Sequence, residues 1–305
     1  VSEMAFDPGQ VSKASRFHAL MRLVRIEHTL FSLPYAYVGA FLSGFKVTLW
    51  EIIWMSLALL GLRTAAMAYN NIADLDIDSQ NRRTWNRPLI KGLVSVSDAW
   101  WLVVVGSSLY FVSAVLLNFW TAVLSPIPWV IAMTYSGAKK KHSFPHLHLG
   151  LTLALAVAGG TIAAGGDEAN LLVLLEKVPW AFFFGVLFWV AGFDTIYAIM
   201  DYEFDVKHGV GSIPARFGIN KALKIALLFH LTAIAFFGLA LPLYGLGWVY
   251  LIGWLVGSAL ILYENLIVWR GLENVPKAFN LNIPIGLILT LSAIADVLIR
   301  LYGGG

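Results

Sequence analysis

The chain has 305 residues, 59% of them hydrophobic and 13% charged, with a mean hydropathy of +0.74 and a formal net charge of +3. This composition excludes an ordinary water-soluble domain and points to an integral membrane protein. The absence of cysteine excludes disulfides, thiolate catalysis and thiolate metal sites.

Residues 1–25 lack the charge, short apolar core and cleavage site of a signal peptide, and Arg16 to Ile26 has the pattern of an amphipathic helix on a membrane leaflet. Beyond it, apolar stretches of roughly 20 residues, enough to cross hydrocarbon as helix, recur nine times. They fall at about 26–45, 48–70, 98–117, 119–136, 147–164, 178–198, 221–242, 246–269 and 281–300. Trp50, Trp120, Trp180, Trp248 and Trp269 stand near the predicted ends, as interfacial anchors do. The expected fold class is an all-α integral membrane protein of nine transmembrane helices.

Basic residues orient it. If the N-terminus is cytoplasmic, so are the loops after the second, fourth, sixth and eighth spans, and these regions hold all but four of the 21 Lys and Arg residues. Lys46, Lys177 and Arg300 fall on the other side, and Arg63 lies within a span. Charge bias over short loops sets topology, so the expectation is a multi-pass cell-membrane protein with its N-terminus inside and its C-terminus outside.

The second span ends in Asn70-Asn71-Ile72-Ala73-Asp74-Leu75-Asp76-Ile77-Asp78, and the sixth in Tyr197-Ala198-Ile199-Met200-Asp201-Tyr202-Glu203-Phe204-Asp205. Both read Asp-x-acid-x-Asp. Downstream, Asn86-Arg87-Pro88-Leu89-Ile90-Lys91-Gly92 answers Ser212-Ile213-Pro214-Ala215-Arg216-Phe217-Gly218. The acids are offset by 127 residues and the proline and glycine by 126, so one deletion relates the two copies. The chain therefore reads as two homologous helix bundles, 26–136 and 147–269, with 281–300 as a ninth helix.

Asp74 and Asp78 are four apart, as are Asp201 and Asp205, so each pair shares a helix face while Asp76 and Glu203 point elsewhere. A carboxylate at bilayer depth costs roughly 2.5–3.5 kcal/mol on insertion scales, and four converging ones repel one another. A bound cation removes that penalty. Hard oxygen donors without His or Cys suit Mg²⁺, which takes one or two carboxylates plus phosphate oxygens and water, and this implies a phosphorylated substrate. Arg82, Arg83, Arg87 and Lys91 follow the first motif, Lys207 and Arg216 follow the second, and Lys139-Lys140-Lys141 closes the fourth span. They offer a diphosphate cradle, although topology and anionic lipid alone would also account for single members.

Arg63 lies seven residues before Asn70 and Asp194 seven before Asp201, each about 10 Å deeper at 1.5 Å per residue. They either line an acceptor pocket beneath the diphosphate or pair with each other to join the halves. Glu264 and Asn265 either line the same cavity or pack helices. Asp296 is placed to pair with Arg300.

These motifs resemble a known family. Asn70 to Asp78 resembles the Asn-Asp-x-x-Asp-x-x-x-Asp motif of the UbiA superfamily of intramembrane aromatic prenyltransferases, and Arg83-Thr84-Trp85-Asn86-Arg87-Pro88-Leu89 is similar to the Arg-Thr-x-x-Arg-Pro that follows it. Asp194 to Lys207 looks like the second motif of the 4-hydroxybenzoate polyprenyltransferase branch. Tyr135 to Gly150 has the spacing of that branch's Tyr-Pro-x-x-Lys-Arg…Pro…Leu-Gly stretch, and Glu27 to Pro34 resembles its first helix. The likeness covers roughly residues 22–218; the last three helices match only in hydrophobicity and number. Asn71 departs from the family's Asp, leaving the first motif one carboxylate fewer, and Ser136 replaces the proline after Tyr135.

The resemblance implies a horseshoe of nine helices around a central cavity open to lipid. It implies Mg²⁺-dependent transfer of a prenyl group from a polyprenyl diphosphate to an aromatic acceptor, 4-hydroxybenzoate in the nearest branch, in quinone-type lipid biosynthesis. On that reading Asp74, Asp78, Asp201 and Asp205 bind the metal and Asn70 assists. Arg83, Lys139, Lys140 and Ser136 bind the donor, and Arg63 holds the acceptor carboxylate. Asp194, Asp201 and Tyr197 form the catalytic set, Asp194 acting on the ring hydroxyl. The partners are prenyl diphosphate, a small aromatic acceptor and membrane lipid, with no nucleic acid and no obligatory protein. A menaquinone-pathway naphthoate, a porphyrinoid, a haem or a glycerol phosphate are the alternative acceptors. From another class, a secondary transporter also joins repeats to charged residues near the midplane, but these acids lie on one side only.

Overall fold

The helices begin where local chemistry directs. Thr48 and Glu51 form a capping box ahead of one long helix, Ser95 and Asp98 another, and the side chain of Asn118 accepts the N–H of Thr121 at 2.8 Å. The computed structural model describes residues 13–24, 26–141, 144–166 and 170–302, apart from the side chains of 13–15, 26–31, 139–141 and 302. Among the described residues every regular element is helical.

In chain order these are α1 (Lys13–Val24), α2 (Ile26–Leu42), α3 (Leu49–Ala73), α4 (Leu75–Gln80), α5 (Val96–Leu117), α6 (Phe119–Leu124), α7 (Pro126–Lys141) and α8 (Pro145–Ala164). There follow α9 (Leu171–Lys177), α10 (Trp180–Tyr197), α11 (Tyr202–His208), α12 (Ile213–Phe217), α13 (Ile219–Tyr244), α14 (Trp248–Arg270) and α15 (Val275–Tyr302). Helix forms in every predicted interval, but among the described residues seven helices are long and apolar enough to cross a membrane, where nine spans are predicted. The two shortfalls have local causes. α2 has 17 residues, and the predicted 119–136 span is broken at Ser125, where Pro126 and Pro128 remove backbone donors and divide it into α6 and α7.

Packing is inverted relative to a soluble bundle. Leu228, Leu231, Leu239 and Leu243 on α13 and Val104, Val105, Val112 and Val115 on α5 face outward, while Ala65, Ala68, Ala99 and Ala226 are buried. Large apolar side chains outside and small ones between helices are what a hydrocarbon solvent favours. Close crossings result. Gly61 on α3 and Gly106 on α5 face each other so tightly that a Cβ on either would stand 2.6–2.7 Å from the other's carbonyl oxygen. α2 and α8 cross at Gly39 and Gly160, where Thr161 Oγ1 donates to Gly39 O at 2.9 Å. α3 packs chiefly on α5 and α10 chiefly on α13, so each acid-ended helix leans on the next long one.

Two other expectations change. α1 does not simply lie on a leaflet: Ala19 and Leu23 are buried with Ala65, Ala68 and Ala99, and Arg16 pairs with Asp98. Asp296 and Arg300 do not pair with each other. Asp296 Oδ2 accepts the N–H groups of Gly247 and Tyr250 at the start of α14, and Arg300 Nη1 donates to Tyr244 O and Gly245 O at the end of α13. Opposite charges thus meet opposite ends of two helix dipoles and clasp one turn.

The α2–α8 crossing predicts a contrast between neighbours. A Cβ at Gly160 would overlap Ala36 O, whereas one at Gly159 meets nothing within 4 Å. Gly160→Ala should cost about 1–3 kcal/mol by overpacking and lower the thermal unfolding midpoint in detergent, with Gly159→Ala unchanged.

Candidate active site

α3 does not run through its acidic end. Asp74, at φ −97° and ψ 0°, stands in a break between α3 and α4; Asp201, at φ −102° and ψ 6°, stands between a 3-10 turn (Ala198–Asp201) and α11. The equivalent residues of the two motifs therefore share the same sparsely populated bridge conformation, one in which many active-site residues sit. Continuous helix ends, as the sequence predicts, are not what forms. The four-residue spacing survives nonetheless, because Asp78 N–H reaches Asp74 O at 2.8 Å. Asp74, Asp78, Asp201 and Asp205 line one pocket, and Asp76 and Glu203 are exposed.

Asp194 joins them, so five carboxylates border this pocket, and each has a partner. Asp74 Oδ2 accepts from Asn70 Nδ2 at 3.0 Å, and the same amide donates to Ser136 Oγ at 3.2 Å. Asp78 pairs with Arg87. Asp205 Oδ2 accepts from Ser212 Oγ at 3.0 Å. Asp201 takes the fork of Arg83, Nε to Oδ1 at 2.7 Å and Nη2 to Oδ2, and its Oδ1 also accepts Asn81 Nδ2 at 2.8 Å. Burial opposes the charge on Arg83, and Asp201 more than restores it, so the guanidinium is held charged. Arg83 Nη1 also donates to Tyr197 OH at 3.3 Å, with the guanidinium 5.5 Å from the ring centre. Tyr197 is thereby placed beside Asp201.

The deeper residues behave differently. Arg63 and Asp194 do not form an ion pair: Arg63 Nη1 donates to Ser32 Oγ at 2.9 Å, outside the pocket lining, and Asp194 Oδ2 lies 2.7 Å from His146 Nδ1. Glu264 and Asn265 are buried away from the pocket, bonded to Asn282 and His230, so they pack helices rather than line the cavity. Asn71 also leaves it. Its Nδ2 donates to Leu23 O and Met67 O at 3.3 and 2.8 Å, so its amide anchors α1 and the pocket's carboxylate count does not depend on it. Lys139 and Lys140 end α7, and their side chains lie outside the described residues.

Sequence reasoning missed His146 and Asn81. Asn81 lies only three residues past Asp78, where its polar type was a usable signal; nothing in sequence spacing ties residue 146 to residue 194.

Four acidic side chains from two chain segments, with amide, hydroxyl and guanidinium groups between them, make a donor set for a hard cation. Among the described residues no three acid or histidine side chains are gathered tightly enough to enclose an ion by themselves. Such spacing suits a divalent cation that completes its shell with water and ligand oxygens.

A family model described as "UbiA prenyltransferase family" matches residues 32–283. The 4-hydroxybenzoate octaprenyltransferase of Citrobacter koseri is 32% identical over 291 residues, 92% of this chain and 95% of its own. An apo structure of a UbiA homolog from Aeropyrum pernix K1 is 49% identical and superimposes with a TM-score of 0.85, covering 89% of this chain and 98% of that one. A UbiA homolog from Archaeoglobus fulgidus bound to GPP and Mg²⁺, 23% identical with a TM-score of 0.58 over 89% of this chain and 99% of its own, shares the fold.

Asn71 generates a prediction. Asn71→Asp would set carboxylate oxygens against two carbonyls, lose both hydrogen bonds and cost about 1–3 kcal/mol. Thermal unfolding in detergent should show that drop, with exposed Asp76→Asn within about 0.5 kcal/mol of the parent.

Proposed function

The chain belongs to the UbiA prenyltransferase family, and from that premise we propose that it transfers a prenyl group from a polyprenyl diphosphate to 4-hydroxybenzoate in quinone-type lipid biosynthesis. It is a multi-pass membrane protein. The observation that carries the reading is the pair of matched helix breaks at Asp74 and Asp201, which bring both acidic motifs and Arg83 to one pocket. The names of the Citrobacter relative and the ligands of the Archaeoglobus structure supply the acceptor and donor chemistry.

In this reading nine spans form two repeats, 26–136 and 147–269, with 281–300 as the last helix; α2 and the α6–α7 pair complete the count beyond the seven long helices. The basic loop after α4 lies at the acidic end, which supports an interior N-terminus and an exterior C-terminus.

Asp74, Asp78, Asp201 and Asp205 would hold Mg²⁺, which when bound supplies positive charge to the diphosphate as its C–O bond breaks. Arg83 and Arg87 already sit on Asp201 and Asp78 and are placed to turn toward phosphate oxygens. Lys139 and Lys140 add charge, and Asn70 and Ser136 frame the entry between the motifs. The leaving diphosphate takes the bonding electron pair, and the allylic carbon becomes cationic beside the Tyr197 ring. Asp194 accepts the acceptor's hydroxyl proton while the ortho carbon attacks that cation. The resulting dienone loses its ring proton, Asp194 returns a proton to the oxygen, and one proton leaves with diphosphate. Arg63 would hold the acceptor carboxylate with its planar fork. The isoprenoid tail needs no polar contact and can extend into lipid.

Asp74→Ala and Asp201→Ala, purified folded in detergent, should lose transfer by about 10²–10³-fold or more, and EDTA should silence the parent until Mg²⁺ is restored. Near-normal turnover by either variant, with products identified by mass, sinks the metal–diphosphate assignment. Arg63→Ala should raise KM for the acceptor far more than for the donor; the reverse pattern refutes its role.

A further inference from the structure

His146 has no place in the mechanism just given, yet it is tied on both sides to groups that do. It opens α8 beside Pro145 and is 2% exposed. Its Nε2 accepts the backbone N–H of Ile213 at 3.2 Å, and its Nδ1 lies 2.7 Å from Asp194 Oδ2. A ring nitrogen that accepts an N–H must carry its lone pair, so the proton of the neutral ring is on Nδ1 and is donated to Asp194. Uptake of a second proton would break the Ile213 bond, so His146 is built to orient rather than to exchange protons.

The exposures run the same way. The His146 side chain is 2% exposed and that of Asp194 18%, so although both border the pocket the carboxylate presents the larger surface to it. Behind His146 the support continues to the other motif. Ile213 begins α12, whose N-cap Ser212 accepts Ala215 N–H at 3.2 Å and donates to Asp205 Oδ2 at 3.0 Å. Asp205 stands on the donor side and Asp194 on the acceptor side, and both lean on the Ser212–Ile213 corner.

Resting on the prenyl-transfer reading above, we propose that His146 is a positioning residue that aims Asp194 at the acceptor hydroxyl and registers it against the donor seat through Ile213 and Ser212. It touches neither substrate. Its loss therefore slows transfer without weakening the donor.

The test uses the whole protein in detergent with Mg²⁺, a labelled prenyl diphosphate and 4-hydroxybenzoate, comparing the parent with His146→Leu and His146→Gln. His146→Leu should lower kcat for transfer about 100-fold, with KM for the donor within about threefold of the parent. His146→Gln, whose planar amide carries one donor and one acceptor, should recover to within about tenfold of the parent. The proposal is overturned if the Leu variant transfers at parental rates, if the Gln variant is as slow as the Leu variant, or if the Leu variant loses donor affinity to the same degree as kcat. A parent protein that transfers no prenyl group to any aromatic acceptor removes the underlying reading instead, a result separate from those three.

Discussion

Five carboxylates bordering one pocket among apolar helices cannot persist there as bare charges, because desolvation opposes each and their neighbours repel it. Every one is held by a hydrogen bond or ion pair, and the identity of the partner decides how the chain is put together. Asp74 and Asp78 are balanced within their own half, by Asn70 and Arg87. Asp201 is balanced by Arg83 and Asn81 from the other half, and Asp194 by His146 from α8. The charge balance of the site thus also links segments far apart in sequence.

This crosslink works because the surrounding helices are set closely. Small residues at the α3–α5 and α2–α8 crossings let backbones approach, and the bulky side chains that a soluble protein would bury face outward. The second half has in addition a buried polar brace: Trp189 Nε1 donates to Asn282 Oδ1 at 2.9 Å, and Asn282 donates to Glu264. Polar groups enclosed this way fix the rotation of α10 against α14 and α15, and α10 carries Asp194 and Tyr197 into the pocket. Rigid scaffolding of this kind suits a reaction in which a reactive cation must meet one carbon of one ring.

The two acidic motifs are matched in backbone at their first aspartates and differ in what surrounds them. Asp74 and Asp201 share a conformation, but the deeper charged residue of the first segment is Arg63, eleven positions before Asp74 and bonded to Ser32, and that of the second is Asp194, seven before Asp201 and bonded to His146.

Much of this was legible in the sequence. Hydropathy gave the helices, because a segment that must satisfy its backbone in lipid has few other options. The repeated Asp-x-acid-x-Asp pattern picked out the four acids that line the pocket, because four-residue spacing turns two side chains to one side wherever a helical turn forms between them. Side-chain partners were another matter. The Arg63–Asp194 pair that equal depth allowed and the Asp296–Arg300 pair that spacing along one helix suggested do not form, because hydrogen-bonding choice depends on what neighbouring helices bring within about 3 Å. Asn71 shows the same limit: sequence placed it in a motif, but α1 offers its amide a carbonyl and turns it away from the pocket. The sequence by itself determined the helical membrane fold, the two acidic motifs and the family. Only the tertiary structure decided the break of each motif helix at its first aspartate and the choice of partner for every charge, since both depend on contacts between residues as far apart as 146 and 194.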